Sequence, residues 1–172
     1  MAGKESVDRQ DIEKLDEILD EKKCILFGGA SLLFYGISRG TKDVDVELIN
    51  GTTEQALNTE KLLNSANIPN DVTNNSSGWG MIPLPKGYQD RAIQTELKNI
   101  KVLNPLDFVL SKMRRGTEID QKDCLAVCKA QKVSGKEISK HLELVDLPSD
   151  PASQLFIKRL KFLTDAMEKK DH

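Results

Sequence analysis

Apolar and polar positions change period several times along the first hundred residues. Residues 8–21 carry Ile12, Leu15, Ile18 and Leu19 at helical spacing behind Asp8 and Asp11 as candidate caps, which predicts an amphipathic helix covering the first strand. Cys24-Ile25-Leu26-Phe27 is apolar throughout and runs into Gly28-Gly29, the pattern of a short buried strand ending in a turn. Residues 30–36 read as a short helix. Residues 43–49 then alternate, so that a strand turns Val44, Val46 and Leu48 to one face and Asp43, Asp45 and Glu47 to the other. Asn50-Gly51 is a turn, and residues 53–66 form a second helix with Leu57, Leu62 and Leu63. Asp71-Val72-Thr73 is the best candidate for the next strand. Residues 92–97 alternate Ile93, Thr95 and Leu97 and read as another.

Beyond that point the pattern is helical. Asn104 or Pro105 opens a helix whose stripe is Leu106, Val109, Leu110 and Met113, and Asp120 and Asp123 share one face of the next. Ile138, Leu142 and Leu144 fall in a short segment. After Pro148-Ser149-Asp150-Pro151, Leu155, Phe156, Leu160, Leu163 and Met167 mark a final helix. The expected architecture is α/β: residues 1–104 form a mixed sheet flanked by helices, and residues 105–172 add helices packed on it, in a single compact unit. At 172 residues the chain is long enough to bury one real core.

Composition narrows the function. There are 25 Lys and Arg against 27 Asp and Glu, a net charge of −2, which argues against a dedicated polyanion binder but not against a local basic patch. No apolar run reaches the roughly 20 residues of a membrane span, and the first residues lack a signal-peptide core; a cytoplasmic protein with no membrane partner is expected. The three cysteines, Cys24, Cys124 and Cys128, are odd in number and scattered, unlike a disulfide framework. With His141 and His172 the only histidines, zinc or histidine-based hydrolysis is poorly supported, and the chemistry must rest on carboxylates, Lys and Arg.

Gly28-Gly29 and the acidic strand supply such chemistry. Glycine lets backbone N–H groups approach a phosphate, the following helix begins with its partial positive charge, and Ser31 adds a hydroxyl. Carboxylates two apart on one strand face can bind one cation, and magnesium accompanying a nucleoside triphosphate takes oxygen ligands. Lys112 and Arg115 lie off the apolar stripe of their helix, where they could reach phosphate oxygens. Asp120 and Asp123 are placed to orient them by ion pairing. Trp79, the only tryptophan, is either a core anchor or a platform for a base.

Strand, Gly-Gly, helix, then Asp43-x-Asp45 on the next strand resembles the nucleotidyltransferase superfamily related to DNA polymerase β. The flanking Arg39-x-Thr41-x-Asp43-x-Asp45 is similar to a branch of small bacterial proteins that includes the AbiEii-like abortive-infection toxins. Leu84-Pro85-Lys86-Gly87-Tyr88-Gln89-Asp90-Arg91 and residues 103–115, followed by Asp120 and Asp123, match the downstream part of that branch. The resemblance implies a polymerase β-like core and transfer of a nucleoside monophosphate from ATP or another triphosphate, with Mg2+ or Mn2+. The acceptor would be a hydroxyl on RNA such as tRNA, on a protein or on a small molecule. It also implies a toxin held by an antitoxin protein, and a catalytically degenerate binding member is the alternative. Asp43 and Asp45 would hold the metal, Gly28, Gly29, Ser31, Arg39 and Thr41 the nucleotide, and Lys112 with Arg115 the phosphate charge. A third carboxylate is either Asp71, which is preferred, or Glu96; Glu47 shares the face but lies further along its strand.

Overall fold

The structure, a computed structural model, describes residues 6–79 and 82–169. The Trp79 side chain, and with it any stacking role, lies outside the described residues. The chain divides into two units, residues 1–76 with 91–103, and residues 77–90 with 104–172.

The first unit is built on a five-stranded mixed sheet. In chain order its elements are α1 (Arg9–Leu19), β1 (Cys24–Phe27), a 3₁₀ helix (Gly29–Tyr35), β2 (Val44–Leu48), α2 (Thr53–Ser65), β3 (Asn70–Thr73), β4 (Ile93–Gln94) and β5 (Ile100–Val102). The strand order is β3-β2-β1-β5-β4. β1 runs antiparallel to β2 and parallel to β5, β2 runs parallel to β3, and β4 closes an antiparallel hairpin with β5. The all-apolar β1 is buried at every position, as its central place requires. α1 buries Ile12, Leu15 and Leu19, and both suggested caps act: Asp8 accepts from the Asp11 amide while Asp11 accepts from that of Asp8. The buried Asn99 amide donates to the Asp16 and Asp20 carbonyls, tying the end of α1 to the chain entering β5.

Three details differ from the sequence expectation. β2 starts at Val44, leaving Asp43 in the bend before it. The strand expected over 92–97 shrinks to Ile93–Gln94, because the next side chains capture backbone that a longer ladder would need. Gln94 Nε2 donates to the Leu97 carbonyl and Thr95 Oγ1 to that of Ile100, folding 95–99 into a tight return. β5, for which no strand is expected, takes an interior place beside β1.

In the second unit, α4 (Pro105–Met113), α5 (Glu118–Gln131), α6 (Gly135–His141) and α7 (Pro151–Glu168) carry the apolar stripes. Each opens on a side-chain cap: Asn104 and Asp150 precede Pro at the first helical turn, and Thr117 and Ser134 form capping boxes with Asp120 and Glu137. A further short helix, α3 (Tyr88–Arg91), has no counterpart in the sequence expectation, and the segment before it is held by a hydrogen bond from the Lys86 amide to the Leu144 carbonyl. Among the described residues no helix is long and apolar enough to cross a membrane.

Candidate functional site

In the first unit the register of β2 decides which side chains meet. Asp45 pairs with Asp71 on parallel β3 and with Phe27 on antiparallel β1. Side chains at paired positions stand on the same face, about 5 Å apart across adjacent strands. Asp45 and Asp71 are therefore neighbours, Asp45 half-buried and Asp71 exposed. Glu96, the other candidate for a third carboxylate, follows β4 at the opposite edge of the sheet and is held by Arg9 at 2.5 Å.

The Gly28-Gly29 turn closes on the same carboxylate. Gly28 has φ +61°, and a Cβ there would collide with Asp45 Oδ2. A Cβ on Gly29 would lie 2.8 Å from Thr41 Oγ1 and 3.2 Å from an Arg39 guanidinium nitrogen. Two bare Cα atoms thus let Asp45, Thr41 and Arg39 converge on one turn. Ser31 is fully buried and its Oγ donates to the Gly28 carbonyl at 2.7 Å, so its hydroxyl fixes the turn from inside. Thr41 is pinned by a bridge to Val7, whose amide donates to the Thr41 carbonyl at 2.8 Å, and Thr41 Oγ1 reaches the Asp43 carbonyl at 3.3 Å. Asp43 is exposed.

Glu47, two residues past Asp45 on the same strand face, is fully buried and accepts a 2.6 Å hydrogen bond from the Ser76 amide. It anchors the chain leaving β3. Among the described residues no three His, Cys, Asp or Glu side chains form a ready-made metal cage; what the sheet offers a cation is the Asp45–Asp71 pair with Asp43 nearby in sequence.

The second unit brings together Lys112, Arg115, Asp120 and Asp123. Lys112 Nζ lies 3.3 Å from Asp120 Oδ1 and 3.1 Å from Asp123 Oδ2, with both carboxylates buried and the lysine nearly so. The Arg115 guanidinium grips Asp120 with two bonds of 2.8 Å while remaining exposed itself. Burial pushes the Asp120 carboxyl up, but Arg115, the Thr117 hydroxyl and amide, and the Lys112 ammonium outweigh it and hold the group down at about 2. Lys112 also lies 5.9 Å from the centre of the Phe108 ring.

Reasoning from the sequence missed a buried pair in this unit, His141 Nε2 and Asp107 Oδ1, 2.7 Å apart between α6 and α4. No local pattern announced it, since Asp107 reads as first-turn acid of α4. All three cysteines are free and buried, and burial pushes the Cys128 thiol up to about 11.

Among the comparisons with known proteins, one family model matches, over residues 6–148, and its description is a nucleotidyltransferase of unknown function, DUF6036. No curated protein and no solved structure matches the chain significantly.

Proposed function

From the chain's membership of this family of nucleotidyltransferases of unknown function, we infer that it transfers a nucleoside monophosphate from a magnesium-bound triphosphate to an acceptor hydroxyl. The observation that carries the reading is the register pair Asp45–Asp71 beside the bare Cα of Gly28. Magnesium is usually held by one or two carboxylates plus substrate phosphates, not by an all-protein cage. Two adjacent carboxylates at the mouth of a glycine turn fit that demand, and the missing three-ligand cluster does not count against it. The ion, when bound, would neutralise the triphosphate and stabilise entering and leaving oxygens.

The residues of the chain divide the work. Asp45 and Asp71, with Asp43, hold the cation. Gly28 and Gly29 admit the phosphates to the backbone, and Arg39 and Thr41 stand against that turn to contact them. Ser31 keeps the turn in shape. The acceptor oxygen attacks the α-phosphorus in line, the bond from that phosphorus to the β-phosphate oxygen breaks, and pyrophosphate departs. The exposed Asp71 carboxylate is available to take the hydroxyl proton. In the second unit, Asp120 and Asp123 hold Lys112 and Arg115 in place.

The test is incubation with each α-labelled triphosphate, magnesium and total tRNA. Transfer by the wild type and a loss of at least about 100-fold in an Asp43→Ala, Asp45→Ala variant are expected, since a metal clamp supplies several kcal/mol. Equal transfer by the variant, or none by the wild type with any triphosphate, refutes the reading.

A further inference from the structure

The second unit contains an open cleft of about 1020 Å³ where α5 ends and α6 begins. Among the described residues Lys122, Lys129, Lys132 and Lys136 line it, against one acid, Glu168. Its lining also includes the apolar Leu125, Val133 and Met167. Lys122 is bridged to Glu118 at 2.8 Å, whereas Lys129, Lys132 and Lys136 are exposed and make no ion pair among the described residues. The charge of the whole chain hides this concentration: the unit holds fourteen Lys and Arg against twelve Asp and Glu, and the first unit eleven against fifteen.

Two of these lysines stand against local preference. Lys132 caps α5 with φ +55°, in the left-handed position that glycine fills most easily. Lys136 sits in the first turn of α6, where a cation opposes the partial charge of the helix end. Lys132 offsets its backbone strain in part by placing a cation at the C-terminus of α5, Lys136 has no such compensation, and both add charge to the cleft.

We propose that this cleft holds the phosphodiester backbone of a nucleic acid, which rests on the transfer reading above only in making that nucleic acid the acceptor. Composition favours this occupant over a protein. Protein interfaces are enriched in aromatic residues and Arg and depleted in Lys, whereas among the described residues this cleft is lined by four Lys, no Arg and no aromatic side chain. Lysine is a mobile point charge that follows phosphates, while the planar fork of Arg is the usual reader of base edges. The cleft therefore binds without strong sequence preference, and its affinity falls with salt as condensed counterions are released.

The experiment measures fluorescence anisotropy of the full chain with a mixed-sequence RNA oligonucleotide, the same sequence as DNA, and poly-glutamate, between about 50 and 200 mM salt. A Lys129→Ala, Lys132→Ala, Lys136→Ala variant should bind nucleic acid at least roughly tenfold more weakly at low salt. Its log–log salt slope should be shallower by about 2, from three contacts at about 0.7 each. Lys132→Gly, which suits the left-handed backbone, should lose about one such contact while keeping or raising stability. Replacing Lys140 and Lys158, exposed outside the cleft, should change affinity less than about twofold. Tighter binding of RNA or of DNA identifies the acceptor class. Unchanged binding and slope in the triple variant, absence of salt-dependent binding by the wild type, or tighter binding of poly-glutamate than of either nucleic acid overturns the proposal. The two readings fail separately: nucleic-acid binding that depends on the lysines while the wild type transfers nothing leaves the cleft standing and removes the transfer reading.

Discussion

Gly28→Ala puts the turn argument under direct strain. Gly28 adopts φ +61° and ψ −154°, a region that is essentially glycine's own and costs other residues of order 1–3 kcal/mol. The added methyl would also overlap Asp45 Oδ2, and driving that carboxylate off its rotamer costs about a further 0.5–1.5 kcal/mol. The total is about 1.5–4.5 kcal/mol, or a fall in melting temperature of roughly 3–18 °C at about 2–4 °C per kcal/mol for a chain of this size. Gly36→Ala is the matched control, since Gly36 also has positive φ, at +77°, but a Cβ there meets nothing within 4 Å. It should cost only the left-handed penalty, about 1 kcal/mol. Because a misplacement of about 1 Å in a catalytic group can cost about 100-fold in rate, Gly28→Ala should also lose transfer activity while Gly36→Ala keeps it. Calorimetry and the labelled-triphosphate assay read both effects. Equal melting temperatures and equal activities in the two variants would refute the packing of Gly28 against Asp45 as the feature that shapes the site.

Two further predictions concern the second unit. Asp120 is held at about 2 when folded against 3.8 unperturbed, so the stability it contributes is complete above about pH 4 and lost as pH falls towards 2, on the order of 2 kcal/mol; urea midpoints of Asp120→Asn should approach those of the wild type in that window, and a constant gap across it would contradict the assignment. Lys112→Met leaves Asp123 buried without its ammonium and should cost about 3–5 kcal/mol, most of it recovered in Lys112→Met, Asp123→Asn; a double variant no more stable than the single one would contradict the pairing.

What the sequence revealed, and where it fell short, follows from the range of each signal. β1, α1, α2 and the helices from Pro105 onward are written in local periodicity and capping residues; β1, α1 and α2 lie where expected to within two residues, and the later helices carry the expected residues without their ends having been set. β5 is three residues long, too short for a period to register, and its interior place comes from pairing with distant β1. The 92–97 strand misled because alternation survives in the sequence while Gln94 and Thr95 spend their side chains on backbone carbonyls. The Gly28–Asp45 approach and the His141–Asp107 pair join residues 17 and 34 apart, and no local pattern carries them. The choice between Asp71 and Glu96 could be framed from the sequence but depends on strand order, which places the first beside Asp45 and the second at the far edge.

That choice yields the most direct test of the account: initial rates of label transfer from an α-labelled triphosphate, measured side by side for the wild type, Asp71→Asn and Glu96→Gln. Asp71→Asn should fall by at least about 100-fold. Glu96→Gln, which removes only an exposed pair with Arg9 worth at most about 1 kcal/mol of stability, should stay near the wild-type rate. Full activity in Asp71→Asn together with loss in Glu96→Gln would contradict a metal site built on the register of β2 and β3.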